Sequence, residues 1–292
     1  MRVFILGGTG FIGTAILQEL IARSHSVIAL SRSEASDAKI ETLGATKCRG
    51  DLRKPANWIK IAIDCDAIIQ VATTFSEDMG DVDKHVIDAL IEASTRITQK
   101  PRFLYTGGCW LYGETKNEVA TEDRLFNPLP AFKWMVENGN RLLNCPTLST
   151  AIIHPAMVYH AEGGVFELFL LAARENAPIE IWGNKKTRWP IIERSDLARA
   201  YCDLLVRPDL TGHFNAVSEE GVCVEAIVRK FAEIYENKHK IIILNVDELV
   251  QEHGSWAKGP TLDQKMSSKK LRDATGWEPT ITDYQSSEIF AQ

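Results

Sequence analysis

The sequence lacks the paired cysteines, the long apolar run and the basic excess that mark several common classes of protein. Its six cysteines are scattered and none forms a C-x-x-C pair, so we expect reduced thiols. The most apolar stretch, 165–173, contains Glu167 and is too short to span a bilayer. The net charge is −6 and the basic clusters are short, which argues against nucleic acid or a membrane as partner. We expect a cytoplasmic protein without a signal peptide, since a strand begins at Arg2.

The first half of the chain alternates short β-branched runs with helical patterns. The predicted strands are Val3–Leu6, Ser26–Leu30, Thr46–Cys48, Ala67–Val71, Arg102–Thr106 and Thr150–His154. The predicted helices lie near residues 11–23, 36–43, 56–62, 82–97 and 131–144. Apolar strands separated by helices predict an α/β fold, with a doubly wound parallel sheet covered on both faces.

Beyond Pro155 the alternation becomes irregular. The predicted elements there are a helix at 165–175, a strand at 189–193, a helix capped by Ser195 or Asp196, and a helix stop at Gly276-Trp277-Glu278-Pro279. We expect residues 1–155, with later sheet elements from about 188–217, to form a dinucleotide-binding domain. Residues 156–187 and 218–292 are expected to form a smaller, C-terminal substrate-binding lobe.

A glycine-rich loop follows the first strand directly and opens a helix. Its glycines have the spacing G-x-x-G-x-x-G. Such glycines make a tight turn, let the backbone approach a pyrophosphate, and let the helix pack on the strand. The helix N-terminus adds N–H groups and a partial positive charge. We therefore predict a dinucleotide site whose loop contacts come from Gly7, Thr9, Gly10, Phe11, Ile12 and Gly13.

The end of the second predicted strand carries Ser31-Arg32-Ser33. An NAD-binding protein would have Asp or Glu near this position, where it holds the ribose hydroxyls. An arginine can instead pair with a 2′-phosphate, and the Ser33 hydroxyl is an additional donor. Arg32 and Ser33 therefore favour NADP(H) over NAD(H), the alternative being a solvated surface arginine.

Further motifs resemble those of the extended and atypical short-chain dehydrogenases/reductases, often called NAD-dependent epimerase/dehydratases. Those motifs are the glycine loop, Gly50-Asp51-Leu52, residues 66–73, residues 105–113, His154-Pro155-Ala156-Met157-Val158-Tyr159 and residues 188–198. The resemblance implies a Rossmann fold, with Asp51 and Leu52 at the adenine and Ala72 and Thr73 beside a ribose. It also assigns the following residues to the cofactor site: Thr106, Lys133, His154, Pro155 and Met157.

The same resemblance implies an unusual catalytic centre. Relatives use a Ser or Thr that holds the substrate oxygen, a Tyr as acid/base, and a Lys four residues later that lowers the Tyr pKa. Gly108 falls at the Ser position, Leu129 at the Tyr position and Lys133 at the Lys position. Two of the three catalytic side chains are thus expected to be missing. The candidates that remain are Lys133, Thr106 and Tyr112.

Each alternative acid/base carries a competing structural interpretation. Tyr112 begins a literal Y-x-x-x-K that ends at Lys116, but the glycine that follows it disfavours the helix this motif needs. Thr106 can hold a substrate oxygen or pack at a strand end. His154 and His160 have no nearby cysteine or carboxylate to complete a ligand set, so we expect no metal.

Three functions remain open. The first is an atypical NADP(H)-dependent oxidoreductase acting on a small aromatic or apolar carbonyl or alcohol, because Trp110, Trp134, Trp182 and Trp189 fall in segments expected to surround the crevice. The second is a non-catalytic NADP(H) sensor or scaffold, and the third is a nucleotide-sugar epimerase or dehydratase. A homodimer is possible, although Asn138-Gly139-Asn140 should weaken the helix that pairs in relatives.

Overall fold

The computed structural model describes residues 1–74, 76–238 and 241–291 of the chain. Its first half contains β1 (Arg2–Leu6), α1 (Phe11–Ala22), β2 (Ser26–Ser31), α2 (Glu34–Thr42), β3 (Thr46–Arg49), α3 (Ile59–Ile63), β4 (Ala67–Gln70), α4 (Met79–Ser94), β5 (Arg102–Thr106), α5 (Lys133–Leu143) and β6 (Ser149–Pro155). The helix predicted at 56–62 is divided into a 3-10 turn, Pro55–Asn57, and α3. The division falls at Trp58, whose φ of −133° is not helical.

The second half is built from shorter strands. It contains β7 (Met157–His160), β8 (Gly163–Gly164), α6 (Glu167–Arg174), β9 (Ile179–Trp182), β10 (Arg188–Glu193), α7 (Arg194–Leu205), β11 (Gly212–Ala216), β12 (Glu219–Cys223), α8 (Val224–Ile234), β13 (Ile241–Leu244), α9 (Val246–His253) and α10 (Lys269–Thr275). Further 3-10 turns are Cys109–Tyr112, Pro130–Phe132, Ser255–Thr261, Tyr284–Ser286 and Glu288–Phe290.

A seven-stranded sheet has the order β11-β6-β5-β4-β1-β2-β3. Strands β1 to β6 pair in parallel, with Phe4 opposite both Ile28 and Ile68. Strand order reverses at β1, because β2 and β3 lie on one side and β4 to β6 on the other. This doubly wound arrangement confirms the predicted fold class and is that of a Rossmann fold.

The strands of this sheet are buried because their side chains are apolar on both faces. Every residue of β4 is buried, and so are the four residues 3–6 of β1. Their core includes the large side chains Phe4, Trp58 and Phe103, and the Phe4 and Trp58 rings stack at 5.7 Å. A continuous apolar strand of this kind is what a sheet covered on both faces requires.

The helix ends follow local chemistry, with one correction to the sequence prediction. The Ser33 side chain accepts a hydrogen bond from the Ser36 N–H and caps α2. Gly276, in the left-handed region at φ +73°, ends α10 as predicted. The prediction that Ser195 or Asp196 caps α7 was wrong, because the helix begins at Arg194. The Glu193 carboxylate instead accepts the Ser195 N–H at 2.6 Å.

The tripeptide Asn138-Gly139-Asn140 does not interrupt α5, contrary to its low helix propensity. A Cβ on Gly139 would lie 2.8 Å from the Ile152 side chain, so glycine lets the helix approach β6 closely. Asn138 is buried and hydrogen-bonded to Asp83. Packing therefore outweighs propensity at this point.

The chain divides into two compact units, each of several segments. The first comprises Met1–Gly107, Trp134–Ile153 and Leu197–Phe214, and the second comprises Gly108–Lys133, His154–Asp196 and Asn215–Gln292. The sequence had placed residues 108–133 with the dinucleotide-binding domain, whereas here they belong to the second unit.

The second unit has a mixed sheet of order β12-β10-β7-β8 and a parallel pair, β13 and β9. Its core is aromatic: Tyr159 stacks on Phe166 at 4.6 Å, and Phe231 contacts Phe290 at 4.6 Å. Across the described parts of both units, no helix combines the length and apolarity that crossing a membrane would take.

Candidate functional site

The glycine loop joins β1 to α1 with almost no free space. Gly7 lies in the left-handed region at φ +89°, and a Cβ there would come within 2.8 Å of the backbone of Ala72. A Cβ on Gly13 would lie 2.0 Å from the Gly7 carbonyl oxygen. That oxygen accepts the Gly10 N–H at 3.0 Å, which closes the turn. No residue with a side chain fits at position 7 or 13 without moving the backbone.

Helix α1 begins immediately after this turn, with Gly10 as its N-cap. Gly10 has no side chain to cap the helix, and its carbonyl accepts the Thr14 N–H at 2.9 Å. The first N–H groups of a helix have no partner within it, so a helix start favours an anion. Phe11, Ile12 and Gly13 form this first turn. The turn and the glycine cradle fit the pyrophosphate of a dinucleotide.

Arg32 lies at the end of β2 and is exposed. Within the described chain, its guanidinium makes no hydrogen bond or ion pair. The neighbouring serines are already engaged: the Ser31 hydroxyl donates to the Ser33 carbonyl at 3.1 Å, and the Ser33 hydroxyl bonds that of Ser36 at 3.0 Å. Arg32 is thus a cation available to an anionic ligand, whereas Ser33 serves first as the cap of α2.

A second cation lies beside the loop. The Lys39 ammonium, on α2, donates a hydrogen bond to the Thr9 carbonyl at 3.0 Å. Sequence reasoning missed Lys39 because an exposed lysine on a helix carries no motif. Its position places a positive charge next to the predicted pyrophosphate loop.

Leu52, Ala72 and Thr73 line one small cavity of the first unit, together with Met79 and Trp134. Three of the predicted cofactor residues therefore lie together. Asp51 is adjacent in the chain, and its carboxylate accepts the Arg53 N–H at 2.8 Å while its carbonyl accepts the Trp58 ring N–H at 2.9 Å. These bonds fix the Asp51 backbone at the end of β3.

Thr106 ends β5, and its hydroxyl is fully engaged within the first unit. It donates to the Gln70 carbonyl at 2.6 Å and shares a second hydrogen bond of 2.6 Å with the Tyr201 hydroxyl. This geometry ties β5 to β4 and α7. It corresponds to strand-end packing, the structural alternative to a role in holding a substrate oxygen.

Gly108, which opens the second unit, has an extended backbone and open space where a Cβ would point. Its N–H donates to Nδ1 of His154 at 3.3 Å, so that nitrogen is an acceptor. His154 is buried and packs against Phe126 and Tyr112. Pro155 and Met157, predicted with it at the cofactor, are also buried in this unit.

Leu129 and Lys133 flank the 3-10 turn Pro130–Phe132. The Phe132 N–H donates to the Leu129 carbonyl at 2.9 Å, and Lys133 is the first residue of α5. Leu129 is half-buried and the Lys133 side chain is exposed. Leu129 thus has an extended backbone ahead of this turn, four residues before Lys133 opens α5.

Tyr112 occupies a buried 3-10 turn rather than a helix. Its hydroxyl donates to Oδ1 of Asn215 at 2.7 Å. Burial, with Glu122 nearby, raises the pKa of Tyr112 far above its ordinary value of 10. Gly113 (φ +64°) and Lys116 (φ +52°) leave the helical region, so the tyrosine and lysine do not share a helix face. Burial and the Asn215 bond favour the structural interpretation of Tyr112 over an acid/base role.

The four tryptophans expected around a crevice have different environments. Trp110 contacts Phe132, with ring centroids 5.5 Å apart, and Trp182 stacks on His253 at 5.1 Å. Trp134 lines the cavity described above. Trp189 is a core residue, because its ring is buried and its N–H donates to the Pro260 carbonyl at 2.8 Å. Within the described chain, no cluster of three or more His, Cys, Asp or Glu side chains suited to a metal is present.

A sequence model of the NAD dependent epimerase/dehydratase family matches residues 3–217. The chain belongs to this family. The match spans the glycine loop, the end of β2 and the Gly108–Lys133 segment. It confirms the resemblance inferred from the motifs.

Two curated proteins align with this chain over nearly the full length of both sequences. The uncharacterised protein YLL056C of Saccharomyces cerevisiae is 28% identical over 289 residues, covering 96% of this chain and 95% of that protein. The dTDP-4-dehydro-6-deoxyglucose reductase of Escherichia coli is 25% identical over 326 residues, covering 96% and 93%. The family is NAD(P)-binding and its activities are those of oxidoreductases, epimerases and dehydratases.

The solved structure of the human epimerase family protein SDR39U1, isoform 2, with NADPH has the same fold. Its TM-score is 0.80 at 22% identity, with 99% of this chain and 98% of that chain covered. The family's description names NAD, whereas this structural neighbour holds NADPH. The comparisons therefore establish an NAD(P)-binding family member with the Rossmann fold.

Proposed function

We propose that this family member is an atypical NADP(H)-dependent oxidoreductase. The observation that carries the proposal is Arg32, an exposed guanidinium at the end of β2 that makes no bond to any described residue. An acidic side chain at this point would favour the ribose hydroxyls of NAD. An arginine offers a two-pronged bond to the 2′-phosphate that distinguishes NADP.

The chain's own groups divide the binding of the nucleotide between them. The cradle of Gly7, Gly10 and Gly13 and the start of α1 receive the pyrophosphate, and Arg32 pairs with the 2′-phosphate. Lys39 adds positive charge on the same side. When bound, the nicotinamide nucleotide supplies or takes up the hydride.

We infer that the proton exchanged with the substrate oxygen comes from water. Gly108 and Leu129 provide no hydroxyl at the positions where relatives have Ser and Tyr. Tyr112 and Tyr159 are buried, and burial raises the pKa of both far above 10. The protein's contribution to the rate is then to orient the hydride donor and acceptor, with Lys133 retained at the helix start.

The residues beside these positions favour an apolar substrate. Trp110 follows Gly108 by two residues, Phe132 precedes Lys133 directly, and their rings lie 5.5 Å apart. A Cβ on Gly259 would lie 2.5 Å from the Trp110 ring, so that ring is held closely on its other side. An aromatic pair of this kind offers apolar surface, and we take a small aromatic or apolar carbonyl compound as the substrate class on that ground.

Fluorescence titration with NADPH and NADH tests the cofactor assignment. We expect the wild-type protein to bind NADPH at least about tenfold more tightly than NADH, which corresponds to roughly 1.4 kcal/mol. Arg32→Ala should lose most of that difference. Arg96→Ala, which removes an exposed arginine just beyond the end of α4 that is paired with Glu92, is the matched control and should behave as wild type. Absence of binding to either nucleotide would overturn the proposal.

A non-catalytic NADP(H) sensor is the second candidate, and the absence of hydroxyls at Gly108 and Leu129 favours it. The third candidate is a nucleotide-sugar epimerase or dehydratase. It is supported by the E. coli relative, whose name places its substrate among dTDP-linked sugars. Two assays separate the three candidates: NADPH consumption with a panel of aromatic aldehydes and ketones, and product analysis of dTDP- and UDP-sugars incubated with the protein and nucleotide, because epimerisation and dehydration consume no NADPH overall. NADPH consumption with the carbonyl panel alone supports our proposal, conversion of a nucleotide sugar alone supports the third candidate, and the absence of both results supports the sensor.

A further inference from the structure

The first unit contains a buried carboxylate, that of Asp83. Asp83, on α4, accepts hydrogen bonds from the Gln70 side-chain amide (2.9 Å), the Tyr105 hydroxyl (2.6 Å) and the Asn138 side-chain amide (2.9 Å). All four side chains are at most 6% exposed. Burial raises the pKa of Asp83, while the three donated bonds oppose that rise. A polar cluster of this depth is costly unless each group is satisfied.

The two amides of this cluster are each held in one orientation. Arg141 donates to Oδ1 of Asn138 at 3.3 Å, which leaves the Asn138 NH2 for Asp83. Oε1 of Gln70 accepts the backbone N–H of Ala72 at 3.1 Å, which leaves the Gln70 NH2 for the other carboxylate oxygen. The carboxylate therefore decides which end of the Gln70 amide faces Ala72.

Ala72 is the residue against which the glycine loop packs. Its N and Cα atoms lie 2.8 Å from the point that a Cβ on Gly7 would occupy. Strand β4, which leads to Ala72, lies on one side of β1, and β2, which ends near Arg32, lies on the other. A dinucleotide with its 2′-phosphate at Arg32 and its pyrophosphate at the loop would therefore extend its other half over Ala72 and Thr73.

We propose that Gln70 and Asp83 are positioning residues for the nicotinamide half of the nucleotide. Asp83 orients the Gln70 amide, and Gln70 holds the Ala72–Thr73 backbone against Gly7. This inference rests on the proposed function, because it assumes that a dinucleotide occupies the loop. Neither residue touches the reacting atoms, so neither is a catalytic residue.

The test compares a whole dinucleotide with its adenosine half. In Gln70→Ala and in Asp83→Asn, which presents an N–H where Asp83 accepts, we expect NADPH affinity to fall about tenfold, the scale of one lost hydrogen bond. Adenosine 2′,5′-bisphosphate, which reaches only the Arg32 side, should bind within about twofold of wild type. In the unliganded protein, amide exchange at Ala72 should accelerate about tenfold in both variants.

Two further variants separate positioning from general stability. Tyr105→Phe removes one bond to Asp83 but leaves the Gln70–Ala72 link, so it should lower stability while NADPH affinity stays within about twofold. The exchange of both groups, Gln70→Glu with Asp83→Asn, keeps one carboxylate and one amide. The carboxylate introduced at position 70 accepts the Ala72 N–H. The amide introduced at position 83 donates a hydrogen bond to that carboxylate. This double variant should recover most of the NADPH affinity lost in Asp83→Asn.

Each outcome decides the inference. If the wild-type protein binds NADPH and neither Gln70→Ala nor Asp83→Asn weakens that binding, the positioning role is overturned. The proposed function then still stands. Equal losses of NADPH and adenosine 2′,5′-bisphosphate, or no rescue by the double variant, would also overturn it. A wild-type protein that binds neither nucleotide would overturn both proposals.

Discussion

The carbonyl oxygen of Gly7 lies 2.0 Å from the point that a Cβ on Gly13 would occupy. A change of side-chain rotamer cannot relieve this contact, because the carbonyl oxygen is a backbone atom and a Cβ is bonded directly to the backbone. The start of α1 can approach the end of β1 only if residue 13 is glycine. The spacing between Gly7 and Gly13 is thus a steric requirement of the junction between β1 and α1.

Gly13→Ala should therefore impair both stability and nucleotide binding. We expect the free energy of unfolding to fall by about 1–3 kcal/mol, as for other insertions into packed sites, and NADPH affinity to fall with it. Thermal unfolding and titration measure the two effects. Gly108→Ala is the matched control: its backbone is extended and no atom lies within 4 Å of the new Cβ. A variant at position 13 that matches the control in both measurements would contradict the steric account.

Lys39 should contribute to the proposed preference for NADPH. Lys39→Met removes the ammonium that donates to the Thr9 carbonyl, and with it a positive charge beside the phosphates. We expect NADPH affinity to fall about threefold to tenfold at low salt, with a smaller loss at high salt because exposed charges are screened. NADH affinity should change less. Lys84→Met, which removes an exposed lysine paired with Asp88, is the control, and an equal effect there would refute the assignment.

Glu219 should make stability depend on pH. Burial raises the pKa of Glu219 from 4.5 to about 7, with Asp283 adding to the rise, although the Tyr284 N–H donates to its carboxylate at 2.6 Å. The folded state therefore binds a proton that the unfolded state has released between these values. The stabilisation is present below the unfolded pKa and is lost as the pH rises through about 7.

Glu219→Gln should remove this part of the pH dependence. We expect the melting temperature of the variant, relative to that of wild type, to be higher at about pH 8 than at about pH 5.5. Melting curves of both proteins at constant ionic strength measure the difference. Parallel profiles for the two proteins would show that Glu219 ionises normally in the folded state.

If Gly108 and Leu129 occupy the positions of the relatives' Ser and Tyr, as the motif resemblance implies, adding those hydroxyls should raise carbonyl reduction. Gly108 has open space for a side chain and Leu129 lies four residues before Lys133, so the test variant is Gly108→Ser with Leu129→Tyr. General acid catalysis contributes about 10²–10⁴-fold in favourable cases, and we expect at least about tenfold here with an aromatic aldehyde. Gly108→Ser with Leu129→Phe supplies the same bulk without the phenol. An equal gain in that control would exclude acid catalysis as the cause.

The sheet and the glycine loop were predictable because their signals are local. Apolar runs such as 67–70 must be buried on both faces, and glycines at 7, 10 and 13 satisfy contacts within one strand–loop–helix unit. The placement of Arg32 at the end of β2 follows from the length of that strand. Each of these inferences needs only the sequence within a few residues of the feature.

Other features of the site depend on contacts distant in sequence. Gln70, Asp83 and Asn138 form one cluster although they are up to 68 positions apart, and none belongs to a motif. The engagement of Thr106 by Tyr201 is equally non-local. The start of α7 was misplaced because the carboxylate of Glu193, not a serine or aspartate, meets its first N–H groups. Side-chain partners of this kind appear only once the chain is folded.

The most direct measurement of the central claim is the ratio of NADPH to NADH affinity in wild type and in Arg32→Asp. An acidic side chain at the end of β2 repels the 2′-phosphate and can hold the ribose hydroxyls instead. The account predicts that wild type prefers NADPH by at least about tenfold and that the variant prefers NADH. A ratio that is the same in both proteins would contradict it, because Arg32 would then not meet the 2′-phosphate.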